Sequence, residues 1–265
     1  MGLSPESSDR QTLRWLALAC DAIVSLLFPA GCRLCDTLLN TASLVPICKN
    51  CLSSFAPPPE PCCSVCGQSI LPVNAEVSQL CPTCQNGGFS FDRAISFAAY
   101  DGAAVQALLL LKSEPILPLA QWFADRLVEK VRSSAEDFGD AIVVPVPLHR
   151  RRQWERGYNQ ADLIARPLAR RLNLTYRPIL LARTRPRPDK HLLTMDERWE
   201  SVRGAFATQK GTRVDNLRVL LVDDVMTTGA TLDACAGVLR EAGAKEVIGL
   251  TVARDVRYSV SGSMI

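Results

Sequence analysis

The chain has 265 residues, with 30 Lys and Arg against 27 Asp and Glu for a formal charge of +3, and 48% hydrophobic residues. That length holds one large domain, or a medium and a small one, with ample core. The composition is that of a soluble globular protein, and a charge this small does not by itself call for a polyanionic partner. Its distribution says more: residues 147–203 carry 14 Lys and Arg against 6 Asp and Glu, a local +8 that leaves −5 for the remainder. Such a basic segment reads as a phosphate-facing surface.

Residues 1–12 are polar. The apolar stretch Leu13–Phe28 is interrupted by Arg14 and Asp21 and stopped by Pro29, which excludes a membrane span and a clean signal-peptide core. Leu13, Leu16, Ala17, Cys20, Ile23, Val24 and Leu27 share one helical face, so residues 1–29 are expected to form a tail and an amphipathic helix packed on the protein itself, with a membrane-surface anchor as the second reading. A cytoplasmic location is expected.

Ten of the eleven cysteines precede residue 85, and eight form four C-x-x-C pairs: Cys32/Cys35, Cys48/Cys51, Cys63/Cys66 and Cys81/Cys84. Two such pairs complete one tetrahedral Zn²⁺ site, so residues 30–86 are expected to hold two structural zinc sites as a double zinc ribbon. The simplest pairing joins the first pair to the second and the third to the fourth; an interleaved pairing stays open, as does Cys62 in place of Cys63. Disulfides or redox cysteines are the second reading. Gly67 suits a tight turn, and Ala56-Pro-Pro-Pro-Glu-Pro61 is a stiff spacer between the two sites.

A second domain is expected over 89–254, with residues 255–265 as a tail. Residues 91–100 read as a strand, followed by helices near 103–112 and 117–133 split by Pro115 and Pro118. Lys112 closes the first helix, where a lysine complements the dipole. Residues 141–146 read as a buried strand, and 147–159 as a basic loop carrying Arg150, Arg151, Arg152 and Arg156. Asn159 is a good N-cap for the helix beyond, whose apolar stripe runs through 161, 164, 165, 168, 169 and 172. A short strand near 174–182 precedes a proline-broken basic stretch, 183–191, that reads as a mobile lid. Thr194 to Glu197 resembles a capping box opening a short helix through Val202, and the last strand is about 246–253.

The most informative stretch is 219–232. Val219 to Val222 suit a parallel strand buried on both faces, and the adjacent acids Asp223 and Asp224 stand at its carboxyl end, where open α/β sheets place ligand crevices. Thr227-Thr-Gly-Ala-Thr231 then opens a helix that Gly243 stops. A polar turn at a helix N-terminus offers amide N–H groups and a dipole to a phosphate. Paired carboxylates would repel a second phosphate but accept hydrogen bonds from a vicinal diol, so the chemistry requested is a ribose 5-phosphate. A nucleotide-hydrolase strand would need an upstream G-x-x-x-x-G-K-[ST] loop, which is absent; a phosphoacceptor receiver would need far more than the 41 residues that follow Asp224. The 147–159 loop, again leading into a helix N-terminus, is suited to a diphosphate.

The acid pair followed by x-x-T-T-G-x-T resembles the phosphoribosyl-diphosphate (PRPP) motif of type I phosphoribosyltransferases. With Leu27-Phe-Pro29, the four cysteine pairs, Pro145-Val-Pro-Leu-His149, Glu155-Arg-Gly-Tyr-Asn-Gln160, Glu197-Arg198 and Val202-Arg-Gly-Ala-Phe206, the chain is similar to the ComF family of competence proteins. The resemblance covers about 26–254 and departs at Lys190, where the family pattern carries a glutamine. It implies an α/β type I phosphoribosyltransferase fold, a parallel sheet flanked by helices, behind the zinc ribbons. It further implies that Asp223 and Asp224 hold the ribose hydroxyls, and that Thr227, Thr228, Gly229, Ala230 and Thr231 cradle the 5-phosphate. Arg156 first, with Arg152 and Lys112, would meet the diphosphate and its Mg²⁺. No general base stands out: His149 and His191 are the only histidines and read as loop residues. The family's implied partners are single-stranded DNA and the helicase and recombination proteins of DNA uptake; a ligand-sensing adaptor without turnover is the alternative reading.

Overall fold

A computed structural model of the chain describes residues 30–39, 44–70, 79–134, 136–186, 195–209 and 212–256. The expected helix over 13–28, the lid residues beyond 186 with Lys190 and His191, and the tail beyond 256 lie outside the described residues. The described residues fall into two compact units, the first ending at Ser54 and the second beginning at Phe55.

In the first unit, an antiparallel bridge between Gly31 and Leu38 closes a knuckle, and helix α1 (Lys49–Ser53) follows with Cys48 as its N-cap. The second unit opens with the same construction. A bridge between Cys62 and Ser69 closes a knuckle, and helix α2 (Pro82–Gln85) starts from Cys81.

The remainder alternates strands and helices: β1 (Arg93–Ala99), α3 (Gly102–Ser113), α4 (Leu117–Ser133), β2 (Ile142–Pro145), α5 (Arg150–Arg156), α6 (Gln160–Leu172), β3 (Thr175–Tyr176), β4 (Leu181–Arg183), α7 (Met195–Glu200), β5 (Phe206–Thr208), β6 (Arg218–Met226), α8 (Ala230–Glu241) and β7 (Glu246–Arg254). Five strands form one parallel sheet in the order β1-β7-β6-β2-β3, and β4 pairs with β5 in a separate antiparallel hairpin. The α/β parallel architecture expected from the strand–helix alternation is therefore present.

Val219 to Val222 of β6 and Ile142 to Pro145 of β2 are buried throughout, as strands covered on both faces must be. Helices α4 and α6 pack together over one face; α8, the hairpin and α7 cover the other. On that second face Ile142, Val144, Val219, Leu221 and Val247 share a cluster with Leu232, Cys235 and Leu239 of α8. Cys63, Cys66 and Cys81 belong to the same cluster, so the second knuckle is part of this core.

The sheet's outer margins differ. β3 is two residues long, whereas the free side of β1 is taken up by preceding chain: Ala94 N–H donates to Val65 C=O (2.7 Å) and Ala99 N–H to Ala56 C=O (2.8 Å). At the carboxyl end the registers align Pro145 with Val222 and Val222 with Leu250. From β2 the chain moves outward to β3, whereas β6 leads toward β7 and the β1 side, so the order reverses between β2 and β6. A crevice forms at such a reversal.

Two local readings change. The stretch expected as a basic loop over 147–159 winds into α5 across Arg150–Arg156. His149 Nδ1 accepts from Arg151 N–H (3.3 Å), Arg151 pairs with Glu155 four residues on (2.8 Å), and Gly157 at φ 79° stops the helix. Capping, an i,i+4 pair and a left-handed glycine are the devices that stabilise so short a helix. The strand expected near 174–182 divides into β3, on the main sheet, and β4, in the hairpin.

Candidate functional site

The carboxyl ends of β2 and β6, where such a sheet places its crevice, are framed by the turn after β6 and the segment after β2. β6 runs past its acids to Met226 because Asp223 is in register with Thr251 and Val225 with Ala253 on the longer β7. Adjacent strand residues point to opposite faces, and the two carboxylates are used differently. Asp224, 6% exposed, receives Lys112 Nζ at 2.6 Å from the last turn of α3. Asp223, half-buried, accepts the Asp224 backbone N–H through Oδ1 (2.8 Å).

Burial raises the Asp223 pKa and the like charge of Asp224 raises it further, to about 8; the Asp224 N–H and Lys112 pull the other way. Burial by itself lowers the Lys112 pKa, but the attraction of Asp224 outweighs it and holds the ammonium above its ordinary value. One carboxylate is thus paired with an internal lysine, and burial beside a like charge raises the other's affinity for its proton.

Thr227, Thr228 and Gly229 form the turn into α8. Gly229 caps the helix at φ 86°, and Thr228 Oγ1 accepts the Ala230 N–H (3.2 Å). A Cβ at 229 would lie 2.8 Å from Phe89 Cε1 and 2.9 Å from Met226 Cε, so both the positive φ and the packed ring demand glycine. Phe89 itself stacks on Phe91 (centroids 4.5 Å) and on Trp199 of α7 (5.9 Å), which braces the turn from outside.

Across the crevice Asn159 caps α6 as expected: its Oδ1 accepts Ala161 N–H (3.1 Å) while its Nδ2 donates to Val146 C=O (2.9 Å). Arg156, half-buried, donates to Gln160 Oε1 (2.6 Å). Burial lowers its pKa and the neighbouring Arg152 adds to this, while the Asp224 charge acts the other way. Tyr158 reaches back to donate to Leu111 C=O (2.8 Å), tying the α5–α6 corner to the helix that carries Lys112. Lys112, Arg156 and the acid pair therefore converge; Arg152 is exposed on α5 beside Arg156. His149 serves as the cap of α5.

The eight cysteines gather into two groups, Cys32/Cys35/Cys48/Cys51 and Cys63/Cys66/Cys81/Cys84, with all four sulfurs of each within 4.8 Å of one another. This is the sequential pairing, and Cys62 stays outside it, exposed. Sulfur separations of 3.9 Å (Cys32–Cys51), 3.7 Å (Cys35–Cys48) and 3.5 Å (Cys66–Cys81) match the edge of about 3.8 Å of a tetrahedron with Zn–S bonds near 2.3 Å. They are far from the roughly 2.05 Å of a disulfide. Burial raises Cys63, but N–H groups of Cys66, Cys81 and Val65 outweigh it and bring it to about 7; Cys66 is pushed up to about 12 by burial. Both groups fit structural zinc. Among the described residues no helix is long and apolar enough to cross a membrane.

A family model for a double zinc ribbon domain matches residues 23–85, and one for a phosphoribosyl transferase domain matches residues 161–259. The DNA utilization protein YhgH of Salmonella typhimurium is 32% identical over 188 residues, 69% of this chain and 81% of that protein. Competence protein F of Haemophilus influenzae is 28% identical over 204 residues (76% and 85%), and competence protein ComFC of Bacillus subtilis 35% over 115 residues (43% and 45%). The chain belongs to the ComF family. Among solved structures, this ComF member is similar to the glutamine PRPP amidotransferase of B. subtilis at 22% identity and TM-score 0.33, over 50% of this chain and only 26% of that one. It is also similar to the adenine phosphoribosyltransferase of Saccharomyces cerevisiae, at 18% identity and TM-score 0.35, over 52% and 73%.

Arg254 escaped the sequence reading. It ends β7 and is buried against the turn after β6; a lone cation closing a largely apolar strand was the available signal.

Proposed function

We propose that this ComF protein binds PRPP in the β2–β6 crevice and transfers its phosphoribosyl group to a nitrogen acceptor. The observation that carries this reading is the convergence at one sheet reversal of an acid pair, a threonine–glycine turn opening a helix, and two cationic side chains. Asp223 and Asp224 would accept the ribose 2- and 3-hydroxyls. Thr227 to Thr231 would surround the 5-phosphate with hydroxyl and amide donors. Arg156, Arg152 and Lys112 would neutralise the diphosphate as it departs with the C1–O electron pair. The acceptor nitrogen forms the new bond to C1 and gives up its proton to solvent, so the chain's part is positioning and charge compensation. Mg²⁺ would arrive on the diphosphate and ribose oxygens, retaining water, and supply further neutralisation there.

Calorimetric titration with PRPP and Mg²⁺ tests this. Binding is expected for the unaltered chain and at least about 100-fold weaker for the Asp223→Asn/Asp224→Asn variant, on the order of 3 kcal/mol for lost charge-assisted hydrogen bonds. Equal affinity in the variant would remove the acid pair from the site. Diphosphate release, screened against bases and amines, then separates turnover from sensing.

A second reading, single-stranded DNA contact in a cytoplasmic DNA-uptake assembly, is favoured by one surface. Trp154 is 86% exposed on α5 beside exposed Arg150, Arg151 and Arg152, an aromatic platform among backbone-binding cations. Salt-dependent quenching of Trp154 fluorescence by an oligonucleotide supports it; no quenching at low salt leaves DNA-uptake proteins as the remaining partners.

A further inference from the structure

We infer that Arg254 is a positioning residue that ties the second cysteine knuckle to the Thr227–Ala230 turn, so that zinc in that knuckle sets the geometry of the anion-binding turn. The inference rests on the reading of that turn as the phosphate cradle.

Arg254 is 2% exposed. Its Nε donates to Cys66 C=O (3.0 Å) and its Nη2 to Gln68 Oε1 (2.8 Å), both in the knuckle. Nη1 is turned the other way, toward Met226 C=O (3.2 Å), Thr227 C=O and Asp255 C=O (3.2 Å). All three guanidinium nitrogens are thus engaged, one side holding the turn that carries a zinc ligand and the other holding the first residues of the cradle. The acceptors are neutral carbonyls and an amide, which compensate a buried cation only when several converge in fixed positions. The zinc-loaded knuckle would add its own compensation, because four thiolates on one Zn²⁺ leave two net negative charges beside the guanidinium.

The backbone around this contact is hydrogen-bonded on each side. Cys63 N–H donates to Gln68 C=O (2.8 Å), Gly67 N–H to Cys63 C=O (2.9 Å), and Asp255 N–H to Met226 C=O (2.8 Å). Arg254 bridges these two fixed loops. When zinc leaves, the knuckle is no longer closed, Cys66 C=O and Gln68 are free to drift, and the guanidinium loses the half of its cage that aims it at Met226 and Thr227. Coupling between a metal site and a ligand site through one shared side chain is reciprocal in affinity: PRPP should likewise raise the zinc affinity of this knuckle.

Hydrogen exchange on the full, zinc-loaded chain tests the strap. Arg254→Met should keep both zinc ions, speed exchange of the amides at 227–230 by about tenfold, and leave β2 and α6 unchanged. Arg254→Lys should behave like Arg254→Met, since one ammonium cannot span both loops. Opening the knuckle with Cys84→Ser, a residue that does not touch Arg254, should speed the same amides in the unaltered background and add nothing in Arg254→Met. Should Arg254→Met not fold, Gln68→Ala, which removes one knuckle-side partner, should give a smaller change of two- to threefold at 227–230. Unchanged exchange at 227–230 in Arg254→Met, or in Gln68→Ala where the former does not fold, overturns the inference; so does a uniform rise across the whole unit. PRPP failing to bind the unaltered chain while the exchange link is present sinks the phosphate reading and leaves the strap standing.

Discussion

The two cysteine clusters are built from one design and set in different surroundings. In each, a C-x-x-C knuckle is closed by equivalent hydrogen bonds, Cys32 N–H to Thr37 C=O and Cys63 N–H to Gln68 C=O, both 2.8 Å. Each is completed by a cysteine pair at the start of a short helix. In the first cluster only Cys32 is buried; in the second, Cys63, Cys66 and Cys81 are buried within the core that also holds β6 and α8. The same metal chemistry therefore serves as a self-contained clasp in one place and as part of a domain's interior in the other.

The largest expected difference comes from breaking each cluster. Cys81→Ser should lower the stability of the second unit by about 3 kcal/mol or more, the scale of losing a structural metal together with core packing. Cys48→Ser should leave that unit's unfolding transition in place. Equal shifts of that transition in differential scanning calorimetry would erase the distinction.

A pH effect should likewise belong to the second unit. The Asp223 carboxyl is raised from its ordinary value near 3.8 to about 8, so the folded state keeps a proton that the unfolded state releases. This group's stabilisation is full below pH 4 and is lost as pH rises to 8. The second unit's Tm should fall across that window, and Asp223→Asn should flatten the profile. PRPP affinity should move oppositely, rising toward pH 8 as the acceptor carboxylate ionises.

A smaller test exploits the knuckle turns. The residue after the second cysteine has positive φ in both, 57° at Asp36 and 67° at Gly67. Gly67→Ala should cost about 1 kcal/mol and Asp36→Gly should be neutral or slightly stabilising, because only the latter relieves a left-handed side-chain residue. Opposite signs in chemical denaturation would reverse the turn assignment. Smallest in energy but plain in timing, a chelator should remove the first cluster's ion well before the second's, because its sulfurs are more exposed; single-phase release would remove that ordering.

What the sequence disclosed follows from how local each signal is. The Val219–Val222 run, the Asn159 cap, the glycine at 229 and the cysteine pairs depend on neighbours within a few residues, and each is found where expected. β6 outruns its acids because β7 offers partners as far as Arg254, which is a property of another strand. α5 was hidden because three consecutive arginines carry no apolar stripe, and a histidine cap is a weak signal. The β4–β5 hairpin was missed because three-residue strands leave too little alternation to read. The Lys112–Asp224 pair and the Arg254 contacts join residues far apart in sequence, and nothing local announces them.

The margin of the sheet has a further consequence. Val65 and Ala56 accept the Ala94 and Ala99 amides of β1, while β3 at the opposite margin offers only two residues. A molecule stripped of its second zinc would unpeel that cover and lay bare a seven-residue strand, an open template for another chain to pair with. Metal-starved protein should accordingly be lost first to self-association, with thioflavin-reactive aggregates appearing before soluble unfolded chains accumulate.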